Sequence, residues 1–180
     1  MPGLVPPTCA VHGSFLSAMA EFQAEGRGGP ADQSMIGNDL RAYGAVWTTP
    51  EAFENYVKVL RDDVREDAPR PEGYVPCTTL WWVEGPEYLG RIAIRHRLTP
   101  RLLEVGGHIG YDVRPSARRR GHATAMLAAS LPVAWDLGIQ DALVTCDIDN
   151  VPSRRVIEAN GGRLEDERGG KLRFWVRTRR

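Results

Sequence analysis

The chain has 180 residues, of which 42% are hydrophobic and 26% are charged, a composition typical of a folded globular protein rather than a disordered or fibrous one. Its 23 Lys and Arg residues balance 23 Asp and Glu residues, so no overall electrostatic field draws it to nucleic acid or to an anionic membrane. The sequence contains neither an apolar run of membrane-spanning length nor a secretory leader, so we expect a cytoplasmic, single-domain protein (residues 1–180) with no nucleic-acid or membrane partner.

The first third of the chain predicts two helices. Residues 1–13 contain Pro and Gly without periodicity and predict a poorly ordered lead-in. Apolar residues then recur at helical spacing over 14–24, whereas 26–50 is rich in Gly, Pro and Asp and predicts a long surface loop. A second helix is predicted to begin after Thr49 with a proline in its first turn, and to end near residue 67.

The remainder of the chain predicts an alternation of strands and helices. Strands are predicted at 78–83, 88–95, 108–113, 142–146, 164–167 and 172–176. Helices are predicted at 121–137, with a kink at Pro132, and at 150–160. The resulting order ααβββαβαββ indicates a mixed α/β (α+β) domain without internal repeats.

A short loop between the third predicted strand and the third helix, residues 114–123, carries four arginines and a glycine. A helix N-terminus offers unpaired N–H groups and about half a positive charge, the glycine allows close approach of the backbone, and arginines add charge-assisted contacts. The loop therefore predicts an anion site, which a diphosphate fits best. The sequence lacks a P-loop string, and the glycines at 106, 107 and 110 precede a strand instead of linking a strand to a helix, so no dinucleotide fingerprint is indicated.

The string Arg118-Arg-Arg-Gly-His-Ala123 resembles the [Q/R]-x-x-G-x-[G/A] signature of the GNAT superfamily of acetyltransferases, which cradles the CoA pyrophosphate. Residues 109–115 resemble the fourth strand of that family, and 149–162 resemble its Asn-x-x-[Ser/Ala] helix; the resemblance spans 76–176, and the string at 21–26 fits a bacterial subgroup of predicted acetyltransferases. It implies the acyl-CoA N-acyltransferase fold, a mixed and mostly antiparallel sheet flanked by helices. It also implies direct transfer of an acetyl group from acetyl-CoA to an amine.

The resemblance further implies where CoA binds. Tyr111, Asp112 and Val113 should offer main-chain hydrogen bonds to the pantetheine arm, where the fourth and fifth strands of the family separate. Asn150 and Ser153 should contact the pantetheine or the adenosine phosphates. The residues expected to surround the pyrophosphate, mainly through backbone N–H groups, are Arg118, Arg119, Arg120, Gly121, His122, Ala123 and Thr124.

The sequence assigns no general acid. Four residues after Ser153 many relatives carry a Tyr that protonates the departing thiolate, and this chain has Ile157 there. A thiol of pKa about 8.5 is already a good leaving group, so water or the proton of the amine could suffice. Cys146 could in principle form an acyl-enzyme, but the family transfers the acyl group directly, and a buried structural thiol is the simpler interpretation.

A general base is expected because an alkyl amine of pKa about 10.4 is nearly all protonated at neutral pH, and removing that proton costs about 4.6 kcal/mol. His108 is the leading candidate, since it begins the strand that also presents Val113 and its imidazole titrates in the useful range. Glu104 and His96 are the alternatives. For each of the three, a structural hydrogen-bonding role is equally open.

Two other functions compete with an acetyltransferase. The arginines at 118–120 and 177–180 favour a nucleic-acid-binding module, but the zero net charge and the lack of interleaved aromatic residues oppose it. The presence of Ile157 favours an acyl-CoA-binding regulatory domain without turnover. The three cysteines have neither disulfide nor zinc-ligand spacing, so no metal site is predicted. The sequence does not name the amine acceptor, and a homodimer is possible.

Overall fold

A computed structural model of the chain describes residues 1–179. The helices are α1 (His12–Ala24), α2 (Met35–Tyr43), α3 (Pro50–Asp62), α4 (Pro100–Glu104), α5 (His122–Asp136) and α6 (Val151–Ala159). The strands are β1 (Gly3–Val5), β2 (Cys77–Glu84), β3 (Glu87–Arg95), β4 (Ile109–Val113), β5 (Asp141–Asp147), β6 (Arg163–Arg168) and β7 (Lys171–Arg177). Short 3-10 turns occupy Cys9–Val11 and Pro115–Ala117.

The strands form one sheet in the order β1-β2-β3-β4-β5-β7-β6. Neighbouring strands are antiparallel, except for β4 and β5, which run parallel. A parallel pair needs a crossover connection, and α5 provides it. The mixed, mostly antiparallel sheet flanked by helices that the sequence predicts is therefore confirmed.

Two clusters of buried side chains hold helices against the sheet. Helices α1 to α3 enclose an aromatic cluster, in which the rings of Phe15 and Trp81 stack with their centroids 5.2 Å apart. Helices α5 and α6 contribute to a mainly aliphatic cluster with Ile109 of β4 and Val144 of β5. Since full burial of one such side chain contributes about 1.5–3 kcal/mol, these clusters fix where β4 and β5 end relative to the helices that follow them.

Two elements correct the sequence-based expectations for the N-terminal third. Residues 1–13, expected to form a poorly ordered lead-in, contain β1, which pairs with β2 at Gly3↔Val83. Residues 26–50, expected to be a long loop, contain α2, whose N-cap Ser34 accepts a hydrogen bond from the Gly37 amide. A three-residue strand is too short to show alternation, and the Gly, Pro and Asp residues before Ser34 conceal the brief helical spacing after it.

Further differences concern helix boundaries. The sequence does not predict α4, a five-residue helix that Thr99 caps by accepting a hydrogen bond from the Leu102 amide. Helix α3 ends at Asp62, before the end expected near residue 67. Helix α5 is continuous through Pro132, because its neighbours on both sides remain in the helix, and the kink there stays a prediction.

Candidate functional site

A gap opens between β4 and β5. The two strands pair at a single position, Ile109 with Val144, whereas β3 stays paired with β4 as far as Val113. The carboxyl-terminal part of β4 therefore has a partner strand on one side only. We call the space between residues 110–113 and 145–147 the interstrand gap. Main-chain N–H and C=O groups that lack a strand partner there are available to a ligand.

Two helix N-termini border the interstrand gap at the same edge of the sheet. Helix α5 begins after Gly121, and α6 begins after Asn150, whose side chain accepts a hydrogen bond of 3.1 Å from the Ser153 amide. Each N-terminus presents unpaired N–H groups and about half a positive charge. An elongated ligand with an anionic end suits this edge.

The backbone of the arginine loop, residues 114–121, is open on its outer side. Arg119 and Gly121 are left-handed, with φ of 60° and 80°. For an L-residue such as Arg this conformation costs about 1–2 kcal/mol, and strain of this kind clusters at ligand sites. A Cβ atom added at Gly121 would have no heavy atom within 4 Å. The side of the backbone that a ligand would approach is thus clear of other protein atoms.

Glu21 of α1 fixes the beginning of the arginine loop. Its carboxylate accepts hydrogen bonds from Arg114 Nε at 2.7 Å, from the Ser116 amide at 2.9 Å and from Ser116 Oγ at 3.0 Å. Partial burial acts to raise the pKa of Glu21, but these hydrogen bonds and the Arg114 charge outweigh it, so the pKa is lowered from 4.5. Glu21 is therefore ionised at neutral pH and holds the loop to α1.

We expect Glu21→Gln to lower the free energy of unfolding by about 1 kcal/mol at pH 7, because a charged acceptor of three hydrogen bonds is lost. Since the folded pKa lies below the unfolded one, this contribution is present above pH 4.5 and is lost as the pH falls through the folded pKa. Urea unfolding at pH 7 and at pH 3 measures it, with the exposed Glu54→Gln on α3 as control. Equal stability of Glu21→Gln and wild type at pH 7 would contradict this role.

Arg118 is held by the residue that follows α1, Glu25, and by β4. Its guanidinium donates to both carboxylate oxygens of Glu25, at 2.7 and 2.8 Å, and its Nε donates to the Val113 carbonyl at 3.1 Å. The charge of Arg118 is therefore largely compensated, and its side chain positions the end of β4. Its expected contact with a pyrophosphate stays a prediction. The main chain of Arg118 is better placed to make that contact than its side chain, which Glu25 and Val113 engage.

Arg119 and Arg120 provide the uncompensated charge of the loop. Both side chains are exposed, and neither makes a hydrogen bond or an ion pair with any residue in 1–179. His122, at the start of α5, faces inward instead, because its Nδ1 accepts a hydrogen bond of 3.2 Å from Trp82 Nε1. Two free guanidinium groups beside an open backbone favour a phosphate-bearing ligand.

A phenol lies on one face of the interstrand gap. The Tyr111 hydroxyl lies 2.7 Å from Ser153 Oγ and donates to the Ser153 carbonyl at 3.3 Å, which links β4 to the first turn of α6. Burial raises the pKa of Tyr111 to about 12, although the bond to Ser153 lowers it, so the hydroxyl keeps its proton at neutral pH. Ile157, one turn further along α6, is fully buried in the aliphatic cluster.

Asp112 and Cys146 also lie on the strands that border the gap, but neither offers a reactive side chain. Asp112 accepts a hydrogen bond of 3.0 Å from Arg27 Nη2, so its carboxylate is occupied, and its main chain pairs with Arg91 of β3. The Cys146 thiol is 5% exposed, and burial raises its pKa. Since a nucleophilic cysteine must be a thiolate, Cys146 is not activated.

His108, the leading candidate for the base, lies where β4 and β5 pair. Its side chain is 8% exposed, and its Nδ1 accepts a hydrogen bond of 2.9 Å from the Leu143 amide. The neutral ring thus carries its proton on Nε2, and binding a second proton would break the bond to Leu143. Burial, together with the charge of Arg95, lowers the pKa of His108 to about 4. These contacts disfavour the base role, which stays a prediction.

The two alternative bases are also held in local contacts. Glu104 Oε1 accepts a hydrogen bond of 2.9 Å from Arg168 Nη1. His96 Nε2 lies 2.8 Å from Thr78 Oγ1, and burial lowers the pKa of His96 despite the charges of Glu66 and Asp63. Neither contact points to catalysis, and their roles as bases stay predictions.

The arginines that suggested nucleic-acid binding lie at opposite edges of the sheet. The arginine loop follows the end of β4, whereas Arg177 pairs with Asp141 at the beginning of the parallel strand β5. The two groups do not form one basic surface, and Arg180 lies outside the described residues. Within 1–179, no cluster of His, Cys, Asp or Glu could hold a metal ion, and no helix is long and apolar enough to cross a membrane.

Comparisons with known proteins identify the family. A family model described as an acetyltransferase (GNAT) domain matches residues 34–163. RimJ of Mycobacterium smegmatis, solved in complex with CoA-disulfide, is 20% identical with a TM-score of 0.66, over 98% of this chain and 81% of that one. The microcin C7 self-immunity acetyltransferase MccE was solved with acetyl-CoA and AMP. It is 12% identical with a TM-score of 0.63, over 98% of this chain and 92% of that one.

A third similar structure is an acetyltransferase from Salmonella typhimurium that modifies the N-terminal serine of the 50S ribosomal protein L7/L12. It is 16% identical with a TM-score of 0.58, over 99% of this chain and 95% of that one. No curated protein sequence matches the chain. At such identities the three structures show the fold, while the family model covers well over half of the chain. The predicted family, fold and enzyme class are confirmed: the chain belongs to the GNAT acetyltransferases.

Proposed function

We propose that the protein transfers the acetyl group of acetyl-CoA directly to an amine of a small molecule or a protein. The observation that carries this proposal is the interstrand gap, which has unpaired β4 main chain along one wall and an open, positively charged loop at its outer end. Among the similar structures, RimJ and MccE were solved with CoA-disulfide and acetyl-CoA, which supports the same ligand here. A cytoplasmic location stays a prediction.

Acetyl-CoA would fit with its diphosphate at the arginine loop and its pantetheine along β4. The main chains of Tyr111 and Val113 would hydrogen-bond the pantetheine amides, in place of the strand partner that β5 does not provide. Gly121 and the first turn of α5, which includes Ala123 and Thr124, would direct backbone N–H groups at the diphosphate. Arg119 and Arg120 would add charge-assisted contacts. The thioester would then lie at the inner end of the gap, close to Tyr111.

The amine would reach the thioester from the face of the sheet that α1 to α3 cover. Tyr111 and α6 occupy the other face of the gap. On the first face, the Met35 methyl lies 3.2 Å from the position that a Cβ on Gly110 would take, so α2 borders the inner end of the gap. Attack requires the neutral amine, and holding it near the thioester can itself supply several kcal/mol of the rate enhancement.

We expect acetyl-CoA to stabilise the folded protein. At 100 times its dissociation constant it should add about 2.7 kcal/mol, which raises the melting temperature by several degrees for a domain of this size. Thermal unfolding with acetyl-CoA, CoA and AMP separates binding of the whole cosubstrate from binding of a nucleotide alone. No shift at millimolar acetyl-CoA would overturn the proposed function.

Turnover is tested with a panel of amines: peptides with N-terminal Ser or Ala, polyamines and free amino acids. Release of free thiol from acetyl-CoA identifies an acceptor, and mass spectrometry of the product confirms amide formation. The N-terminal Ser peptide is included because the Salmonella acetyltransferase described above modifies an N-terminal serine. Stabilisation by acetyl-CoA without thiol release for any amine would favour the acyl-CoA-binding regulator.

We expect the double change Arg119→Ala and Arg120→Ala to raise the dissociation constant of acetyl-CoA about 10-fold, since exposed charged contacts contribute up to about 1 kcal/mol each. The loss should shrink at 1 M salt, where exposed charges are screened. Arg163→Ala is the control, because Arg163 is exposed and unpaired within 1–179 and lies on β6. Calorimetric titration at low and high salt measures the dissociation constants of the double variant and of the control. An unchanged affinity of the double variant would contradict the phosphate contacts.

A further inference from the structure

Acetyl transfer to an amine leaves the sulfur of CoA with an electron pair that must take up a proton. We propose that the hydroxyl of Tyr111 donates this proton as the C–S bond breaks. The inference rests on the proposed function, because it concerns the leaving group of the same reaction. It assigns a catalytic role to a side chain for which the sequence indicated only main-chain contacts.

The position of Tyr111 on β4 supports this role. Tyr111 lies two residues beyond Ile109, the last residue of β4 paired with β5, and two residues of strand span about 7 Å. Since side chains alternate along a strand, Tyr111 shares the face of Ile109, which is the face packed against α5 and α6. Its hydroxyl contacts Ser153 in the first turn of α6, so it lies on the face of the gap opposite α2, beside the strand residue where the thioester is expected.

Other side chains at the gap are not placed to donate a proton. Asp112 points to the opposite face and pairs with Arg27. The Cys146 thiol is buried against the aliphatic cluster. Ile157 has no proton to give and is fully buried. Tyr111 borders the gap with a phenol, and its hydroxyl is already bonded to Ser153, one helical turn before Ile157.

The surroundings of the hydroxyl suit a donor that is regenerated after each turnover. Burial keeps the phenol protonated at neutral pH, so the hydroxyl carries a proton when the C–S bond breaks. The first turn of α6 then stabilises the phenolate through the positive end of the helix dipole, and Ser153 Oγ is placed to donate to it. These contacts lower the cost of giving up the proton without ionising the hydroxyl beforehand.

The amine nitrogen forms a bond to the thioester carbon, the C–S bond breaks, and its electron pair stays on sulfur. The proton of Tyr111 Oη moves to that sulfur, which leaves as the CoA thiol. The phenolate recovers a proton from solvent through Ser153 Oγ, and the surplus proton of the amine goes to water. The products are one amide and one thiol.

The test compares Tyr111→Phe with wild type in single turnovers, using the best amine of the panel. With acetyl-CoA, we expect the variant to be slower by about 10²-fold, the usual contribution of a positioned acid, with its acetyl-CoA dissociation constant within about threefold of wild type. With acetyl-seleno-CoA the leaving selenol is a far stronger acid and needs no proton, so the variant should approach wild type. Tyr74→Phe, at an exposed position, is the matched control.

The outcomes are distinct. A loss that disappears with the selenoester supports proton donation. An equal loss with both donors assigns Tyr111 a structural role and overturns the proposal, as does a wild-type rate for Tyr111→Phe with acetyl-CoA. If wild type releases thiol with no amine of the panel, the proposed function fails, and the proton transfer fails with it.

Discussion

Gly121→Val is expected to lower the affinity for acetyl-CoA by about 10²-fold or more while costing the fold about 1–2 kcal/mol. Gly121 has φ of 80°, a conformation that costs an L-residue about 1–2 kcal/mol. A Cβ there meets no protein atom within 4 Å, so no further loss of stability is expected from packing. Its methyl groups would occupy the open side of the loop, where a diphosphate has to approach backbone N–H groups at hydrogen-bond distance.

Gly138→Val provides a matched control for this effect. Gly138 has φ of 84°, also has no heavy atom within 4 Å of an added Cβ, and lies just beyond the other end of the same helix, α5. Both variants should therefore lose similar stability in urea unfolding, and only Gly121→Val should lose affinity in calorimetric titration. A similar loss of affinity in both would show that strain in α5, rather than access to the loop, governs binding.

The parts of the site that the sequence predicts are those whose determinants are local. Residues 108–113 alternate as a strand, Gly121 marks the beginning of α5, and Asn150 caps α6, so each can be recognised within a window of about ten residues. The order of these elements, with a single parallel pair joined by α5, then brings the arginine loop and α6 to one edge of the sheet.

The partners of the loop could not be predicted because they come from distant parts of the chain. Glu21 and Glu25 lie 93 residues before Arg114 and Arg118, the residues they bind, and precede the segment that the family model matches. Four arginines in a segment, 114–123, that itself contains no carboxylate are a signal that such partners exist, but the sequence does not identify them. Only the tertiary structure separates Arg114 and Arg118, which are paired, from Arg119 and Arg120, which are not.

The surroundings of Tyr111 and the presence of β1 also depend on contacts between distant parts of the chain. The alternation of β4 predicts that Tyr111 points to one face, but which helix packs on that face depends on the path of the chain after β5. The edge strand β1 exists because β2 offers it hydrogen-bond partners, and three residues carry no pattern of their own. In both cases the determining contact is made by another element, so a local pattern does not contain it.

His108→Gln is expected to lower stability by about 1–3 kcal/mol at pH 7, because the buried Leu143 amide loses a well-placed acceptor. Wild type should also be destabilised by acid through His108. Its folded pKa, about 4, lies below the ordinary value of 6.5, so the contribution of the neutral ring is present above pH 6.5 and is lost as the pH falls towards 4. The loss amounts to about 3 kcal/mol at most, since one pKa unit corresponds to about 1.4 kcal/mol.

Urea unfolding between pH 4 and pH 7 measures this loss, and His108→Gln should show a smaller dependence on pH than wild type. Its single-turnover rate at pH 7, under conditions where it stays folded, should remain within about 10-fold of wild type, because a ring whose Nδ1 is engaged by Leu143 is not free to accept the proton of the amine. A general base at this position would give the opposite pattern, with unchanged stability, a rate lower by about 10² or more, and the loss of a titration with an apparent pKa of about 6 to 7.5. That pattern would restore the base role of His108 and would require its hydrogen bond to Leu143 to break during the reaction.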